Sequence, residues 1–299
     1  MKIVALLFYT SIIFISCLNE NSGTEKENTG DTPNSGAISF GVDESLFPLL
    51  NEEKEIFENE NPKAVIELKI VPESFCIDSF LEKKFRAIIS TRKLTEEETA
   101  IAKQNDLNPL HYLIAFDGLA FIVNKKNADS VLSASQIDDI LKSQWEGDIE
   151  VVFDNNGAGE IDFIKNKYGL GTKLPGNYFA TNGFTELINY VSTHTNAFGV
   201  IGANKLIYES DSVSGKNFQI VAVLDTGEKK YLPTELNIRN GQYPFRREVY
   251  ILCGEGWSGL GTGFAKFVTT DIGQTIIKRA GLTPARQAMR MIEIKKSYN

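Results

Sequence analysis

Leu113-Ile114-Ala115-Phe116-Asp117-Gly118-Leu119-Ala120-Phe121-Ile122-Val123-Asn124 is apolar at odd and even positions alike, and before its last residue only Asp117 and Gly118 break the run. A strand with one wet face alternates polar and apolar side chains. A strand with none is covered on both sides, as in sheets flanked by helices. Strand and helix signals then take turns in both directions. Upstream, Ala37 to Val42, Val65 to Val71 and Ala87 to Ser90 read as strands. Between them, Leu46, Leu49, Leu50 and Phe57 share one helical face, opened by Asp43 as N-cap, and Phe80, Leu81 and Phe85 share another. Thr95 with Glu98, and Ser133 with Gln136, have the spacing of capping boxes and predict two helix starts. Downstream, strands are expected at Ile149 to Phe153, Phe198 to Ile201, Phe218 to Leu224 and Glu248 to Leu252. Helical faces lie at Ile161, Ile164 and Tyr168, at Phe184, Leu187, Ile188 and Val191, and over two short helices from Phe264 to Ile277. This alternation predicts an α/β architecture.

The N-terminus is of another kind. Lys2, an almost unbroken apolar run from Ile3 to Ile15, then Ser16 and Cys17 read as a secretory signal, residues 1–16, whose mature chain begins at Cys17. The run is short against the ~20 residues of a membrane span. Asn19 to Gly36 is rich in Asn, Glu, Ser, Gly, Thr, Lys, Asp and Pro, too polar to fold on its own, so residues 17–36 are expected to be a flexible tether. Phe14, Ile15, Ser16 and Cys17 resemble the lipobox of bacterial lipoproteins, which implies acylation of Cys17, an anchor in the membrane and an extracytoplasmic location at the periplasm or cell surface.

Composition narrows the functional classes. A net charge of −8 without Lys/Arg clusters argues against nucleic acid as a partner. His111 and His194 are the only histidines and no Cys/His cluster occurs, so no metal site or histidine-based triad is expected. Cys76 and Cys253 are too far apart in sequence for their spacing to say whether they pair. Gly254, Gly256 and Gly259 fit G-x-G-x-x-G, but Trp257 is bulky where a pyrophosphate would approach, so this segment reads as a glycine-rich turn between strand and helix.

Several strings in order carry a resemblance. Tyr243-Pro244-Phe245-Arg246-Arg247-Glu248-Val249-Tyr250-Ile251, Gly259-Leu260-Gly261-Thr262-Gly263-Phe264, Gly273-Gln274-Thr275-Ile276-Ile277 and Gly281-Leu282-Thr283-Pro284 form the C-terminal set. Asp43-Glu44-Ser45, Ser90 to Thr95, Asp117 to Asn124 and Asn196 to Gly202 precede them. Together they resemble the PstS-like periplasmic phosphate-binding proteins of ABC transporters over essentially the whole body. The resemblance implies a type II periplasmic-binding-protein fold: two α/β lobes, residues 37–115 with 246–299 and residues 116–245, joined by crossing hinge strands. It also implies a monomer that captures phosphate or a related solute between the lobes and presents it to an ABC permease, with no cofactor and no catalysis. The alternative is a degenerate surface or sensor module that binds another solute or a protein.

Within that resemblance, Ser45, Ser90 and Thr91 match hydroxyl-bearing positions of an oxyanion cradle, Arg92 adds a guanidinium, and Asp117 is either an acceptor for a protonated oxyanion or a turn residue. Helix N-termini suit this task because their free N–H groups favour an anion. Asn155, Gly157, Ala158 and Gly159 belong to the third cradle segment, where the sequence departs from the family: the expected hydroxyls and arginine are missing, and Glu160 and Asp162 stand there instead. Either these acids face water, or the pocket suits a less anionic solute. Arg246 and Arg247 are adjacent on a strand, so one at most faces the cleft, and exposed ion pairs are expected of them.

Overall fold

The computed structural model describes residues 30–154, 159–171, 173–208 and 215–286. Its first part runs β1 (Ser35–Val42), α1 (Phe47–Glu60), β2 (Lys63–Ile70), α2 (Glu73–Leu81), β3 (Ala87–Ser90) and α3 (Glu96–Gln104). The long strand β4 (Leu110–Asn124) leads into β5 (Val131–Ser133), α4 (Ala134–Leu141), β6 (Glu150–Phe153), α5 (Gly159–Tyr168), β7 (Tyr178–Ala180), α6 (Phe184–Thr193), β8 (Ala197–Gly202) and α7 (Ala203–Tyr208). Then come β9 (Phe218–Ile220), β10 (Ala222–Leu224), β11 (Lys230–Tyr231), α8 (Glu235–Arg239), β12 (Arg246–Cys253), α9 (Leu260–Val268), α10 (Asp271–Arg279) and β13 (Thr283–Pro284).

The main sheet has the order β2-β1-β3-β12-β4-β8-β6-β7. Strand β4 organises it by changing partners midway: Leu110 to Gly118 pair with β12, and Leu119 to Val123 pair with β8. The change falls at Asp117 and Gly118, the two residues that interrupt its apolar run. Side chains sort accordingly. The buried residues of one core all lie between Leu119 and Phe245. Two others, on opposite faces of β3 and β12, draw on Ile38 to Ala115 and on Val249 to Leu282.

Both capping boxes form, with Thr95 Oγ1 accepting from Glu98 N at 3.2 Å and Glu98 Oε2 accepting from Thr95 N at 2.8 Å. Three expectations change. Asp43 does not cap α1, which starts later at Phe47 behind Leu46, because its carboxylate instead closes a turn on Ser45. Phe218 to Leu224 is two strands rather than one: β9 pairs with β4 and β10 with β5, the chain crossing between sheets at Val221. Order also begins before Gly36, since Asp31 is buried, pairs with Arg86 and accepts a hydrogen bond from Trp257 Nε1 at 3.0 Å. The signal peptide, Cys17 and the tether to residue 29 lie outside the described residues. Among the described residues no helix is long and apolar enough to cross a membrane. Cys76 and Cys253 are both buried free thiols.

Candidate functional site

Strands β1, β3 and β6 end at Val42, Ser90 and Phe153, and their next residues meet around Arg247 from β12. In open α/β sheets, ligand sites form at such carboxyl ends. Arg247 sits opposite Asp117 in the β4–β12 register, and its Nε and Nη2 donate to Asp117 Oδ2 at 2.9 and 2.7 Å. The same Nη2 lies 3.5 Å from Glu160 Oε1 in the first turn of α5. The exposed ion pair expected of Arg247 is therefore replaced by a buried one, because the strand register aims the guanidinium inward. Arg246, half-buried, pairs with Glu248 at 3.2 Å. Glu160 does not face water either.

Asp43, Glu73, Asp117, Asp154, Glu160 and Arg247 are each 3% exposed or less. Asp117 and Glu160 contact the guanidinium, Asp43 and Glu73 lie within reach of its charge, and Asp154 pairs instead with Lys205 of α7. Burial pushes the Asp43 and Asp154 carboxyls above their ordinary values, and repulsion from Glu160 adds to both. Burial acts upward on Glu160 too, but Arg247 and Lys205 outweigh it and hold that carboxyl low. The guanidinium and the ammonium are both raised, the surrounding acids overcoming burial.

Among the described residues, the hydroxyls expected of the cradle are occupied. Ser90 Oγ donates to Glu73 Oε1 at 2.7 Å, Thr91 Oγ1 to Glu73 Oε2 at 2.9 Å, and Thr91 N also to Oε1. Glu73 opens α2 directly after Pro72, which places its carboxylate over the strand end. Ser45 N and Oγ both donate to Asp43 Oδ1, at 3.0 and 2.7 Å. Arg92 forks onto Glu98 at 2.7 and 2.8 Å, with the charges of Glu73 and Asp162 also acting on it. Asp117 serves Arg247. Gly159 is held against this cluster: a Cβ there would stand 3.3 Å from Asp43 Oδ1 and 3.6 Å from Arg247 Nη1. Asp162 is partly buried, 3.7 Å from Lys165, its carboxyl raised by burial. Asn155, Gly157 and Ala158 lie outside the described residues.

Glu73, Lys205 and the inward role of Arg247 escaped the sequence reading. An acid after proline at a helix start was the one visible signal for Glu73. Lys205 carries none, since it lies in no motif. The glycine-rich segment is a turn as expected, and inside it Glu255 accepts from Gly261 N, Thr262 N and Thr262 Oγ1 at 3.1, 2.9 and 3.0 Å, filling the start of α9 with a carboxylate.

Residues 27–271 match the family model of the PBP superfamily domain. The phosphate-binding protein PstS of Borreliella burgdorferi is 23% identical over 301 residues, covering 94% of this chain and 97% of that protein. A putative phosphate ABC transporter substrate-binding protein from Clostridium perfringens, solved with bound phosphate, is 25% identical with a TM-score of 0.63 over 84% of this chain and 100% of its own. An ABC-type phosphate transport receptor from Vibrio cholerae has a TM-score of 0.68 at 21% identity, over 82% and 98% of the two chains. The fold is accordingly the two-lobed type II periplasmic-binding fold.

Proposed function

We propose, because the chain belongs to the PBP superfamily domain family, that it is the extracytoplasmic solute-binding component of a phosphate-type ABC importer and that its solute is not free phosphate. The tether and lipid anchor at Cys17, a monomeric state, delivery to a permease without catalysis, and the lobe limits 37–115 with 246–299 against 116–245 are parts of this reading. The separate cores on either side of Gly118 support those limits.

The observation that carries the choice of solute is Glu73, whose carboxylate accepts from Ser90 and Thr91 where an oxyanion would. Phosphate would have to displace a covalently tethered competitor. It would also enter a site whose buried acids, Asp117 and Glu160 on Arg247 and Asp154 on Lys205, already use the nearby cations, and an unpaired carboxylate at 4 Å costs about 1 to 4 kcal/mol per unit charge, depending on screening. Arg247 offsets this only in part, because Asp117 and Glu160 already engage its Nε and Nη2. Titration calorimetry of the full-length protein with inorganic phosphate at neutral pH tests the reading. No heat at millimolar phosphate is expected, and micromolar binding would overturn it.

A further inference from the structure

We infer that the groove between α2 and α5 binds a small zwitterion of the α-amino-acid type, its ammonium on Asp162 and its carboxylate on Lys165; this rests on the reading that the chain is a solute-binding protein not filled by phosphate. A cavity of about 570 Å³ lies there. That is within the roughly 300 to 1,000 Å³ of small-molecule sites. Asp162, Lys165 and Asn166 line it at the i, i+3, i+4 spacing of one face of α5. Ser74 and Ile77 of α2 and Arg92 after β3 complete it. By the proposed lobe limits α2 and α5 belong to different lobes, so a solute in this groove touches both.

Charge defines the solute. The lining holds two acids, Glu73 and Asp162, and two cations, Arg92 and Lys165. Two of these four are engaged elsewhere: Glu73 accepts from Ser90 and Thr91, and Arg92 forks onto Glu98. Asp162 and Lys165 stay within reach of a solute, their side chains 17% and 30% exposed, and they stand 3.7 Å apart, too long for a hydrogen bond. Asp162 accepts from the Ser74 N–H, and a carboxylate has about four acceptor positions, so it has room for an ammonium. Burial, and after it the charge of Glu73, push its carboxyl up against the pull of Lys165, and a further cation beside it relieves that cost. Among the described residues Asp162 is the one acid within 4 Å of Lys165, whose three N–H groups leave donors for a carboxylate. A lone amine would leave Lys165 unmatched, and a lone carboxylate would face Asp162. An α-amino acid carries both charges on one carbon and matches the pair.

The test is calorimetry of the full-length protein at neutral pH with L-serine, with ethanolamine, which lacks the carboxylate, with glycerate, which has a hydroxyl in place of the amine, and with inorganic phosphate. It is repeated on Asp162→Asn, on Lys165→Met and on Asn166→Trp, which fills the groove from α5. L-Serine is expected to bind the wild type at least about tenfold more tightly than either analogue. Asp162→Asn should remove its advantage over glycerate, Lys165→Met its advantage over ethanolamine, and Asn166→Trp should exclude all three. Silence of L-serine in the wild type, or equal affinity for it and either analogue, overturns the inference. If a charge variant does not fold, retained binding by Asn166→Trp overturns it alone. Tight phosphate binding by the wild type instead overturns the functional reading from which the inference starts.

Discussion

Glu73 and Asp154 are both buried acids at strand ends of the cleft, yet one is finished and the other is not. Glu73 accepts three hydrogen bonds across its two oxygens, and its neighbours Ser90 and Thr91 have no donor left for a guest. Asp154 Oδ1, Glu160 Oε2 and Arg247 Nη1 are buried without a partner. Buried polar groups are ordinarily satisfied; the second side departs from that rule at three atoms, the first at Arg92 Nε. The same solution recurs outside the cleft, where Glu255 saturates the start of α9. This chain therefore meets anion-seeking backbone with its own carboxylates.

The largest expected effect comes from breaking the unfinished side at its centre. Arg247→Met leaves Asp117 and Glu160 buried without their cation and is expected to cost about 3 to 5 kcal/mol in urea denaturation. A loss within experimental scatter would mean that water reaches this cluster. Glu53, on α1, sharpens the comparison as an unpartnered acid outside the cleft: both its oxygens lack partners, and burial pushes its carboxyl up to about 9 from 4.5. A raised folded value means that its contribution to stability is full below 4.5 and is lost as pH rises toward 9. Between pH 4.5 and neutrality the wild type should lose about 3 kcal/mol that Glu53→Gln keeps, as measured by denaturation across pH. Parallel profiles would contradict this assignment.

Opening the finished side is a smaller step. Glu73→Ala strips acceptors from Ser90 and Thr91 and should cost about 1 to 3 kcal/mol. Millimolar phosphate should then raise the melting temperature of the variant and leave the wild type unmoved. A variant indifferent to phosphate would show that Glu73 is structural and occupies no anion position. The smallest effect belongs to Glu98→Ala, which releases Arg92 from a half-exposed fork. Stability should change by under about 1 kcal/mol, and in the Glu73→Ala background the freed guanidinium should tighten phosphate binding.

The frame was legible because it rests on local rules. Capping boxes at Thr95 and Ser133 are set by side chains three residues apart, and the double-faced apolar run of β4 announces burial on both sides. Ser45, Ser90 and Thr91 were legible only as hydroxyls after strand ends. What occupies them depends on partners that are distant in sequence or set by register. Glu73 is 17 residues from Ser90, and Arg247 meets Asp117 across 130 residues because two strands align so. Asp43 misled for a related reason: an acid before an apolar helical face looks like an N-cap, but the Ser45 hydroxyl offered its carboxylate a closer partner.

Diffraction from crystals of the wild-type protein grown in phosphate addresses the self-filled cradle most directly. Glu73 Oε1 is expected to remain about 2.7 Å from Ser90 Oγ, with no tetrahedral density between them. A phosphate accepting from Ser90 and Thr91, with Glu73 swung out to solvent, would contradict it.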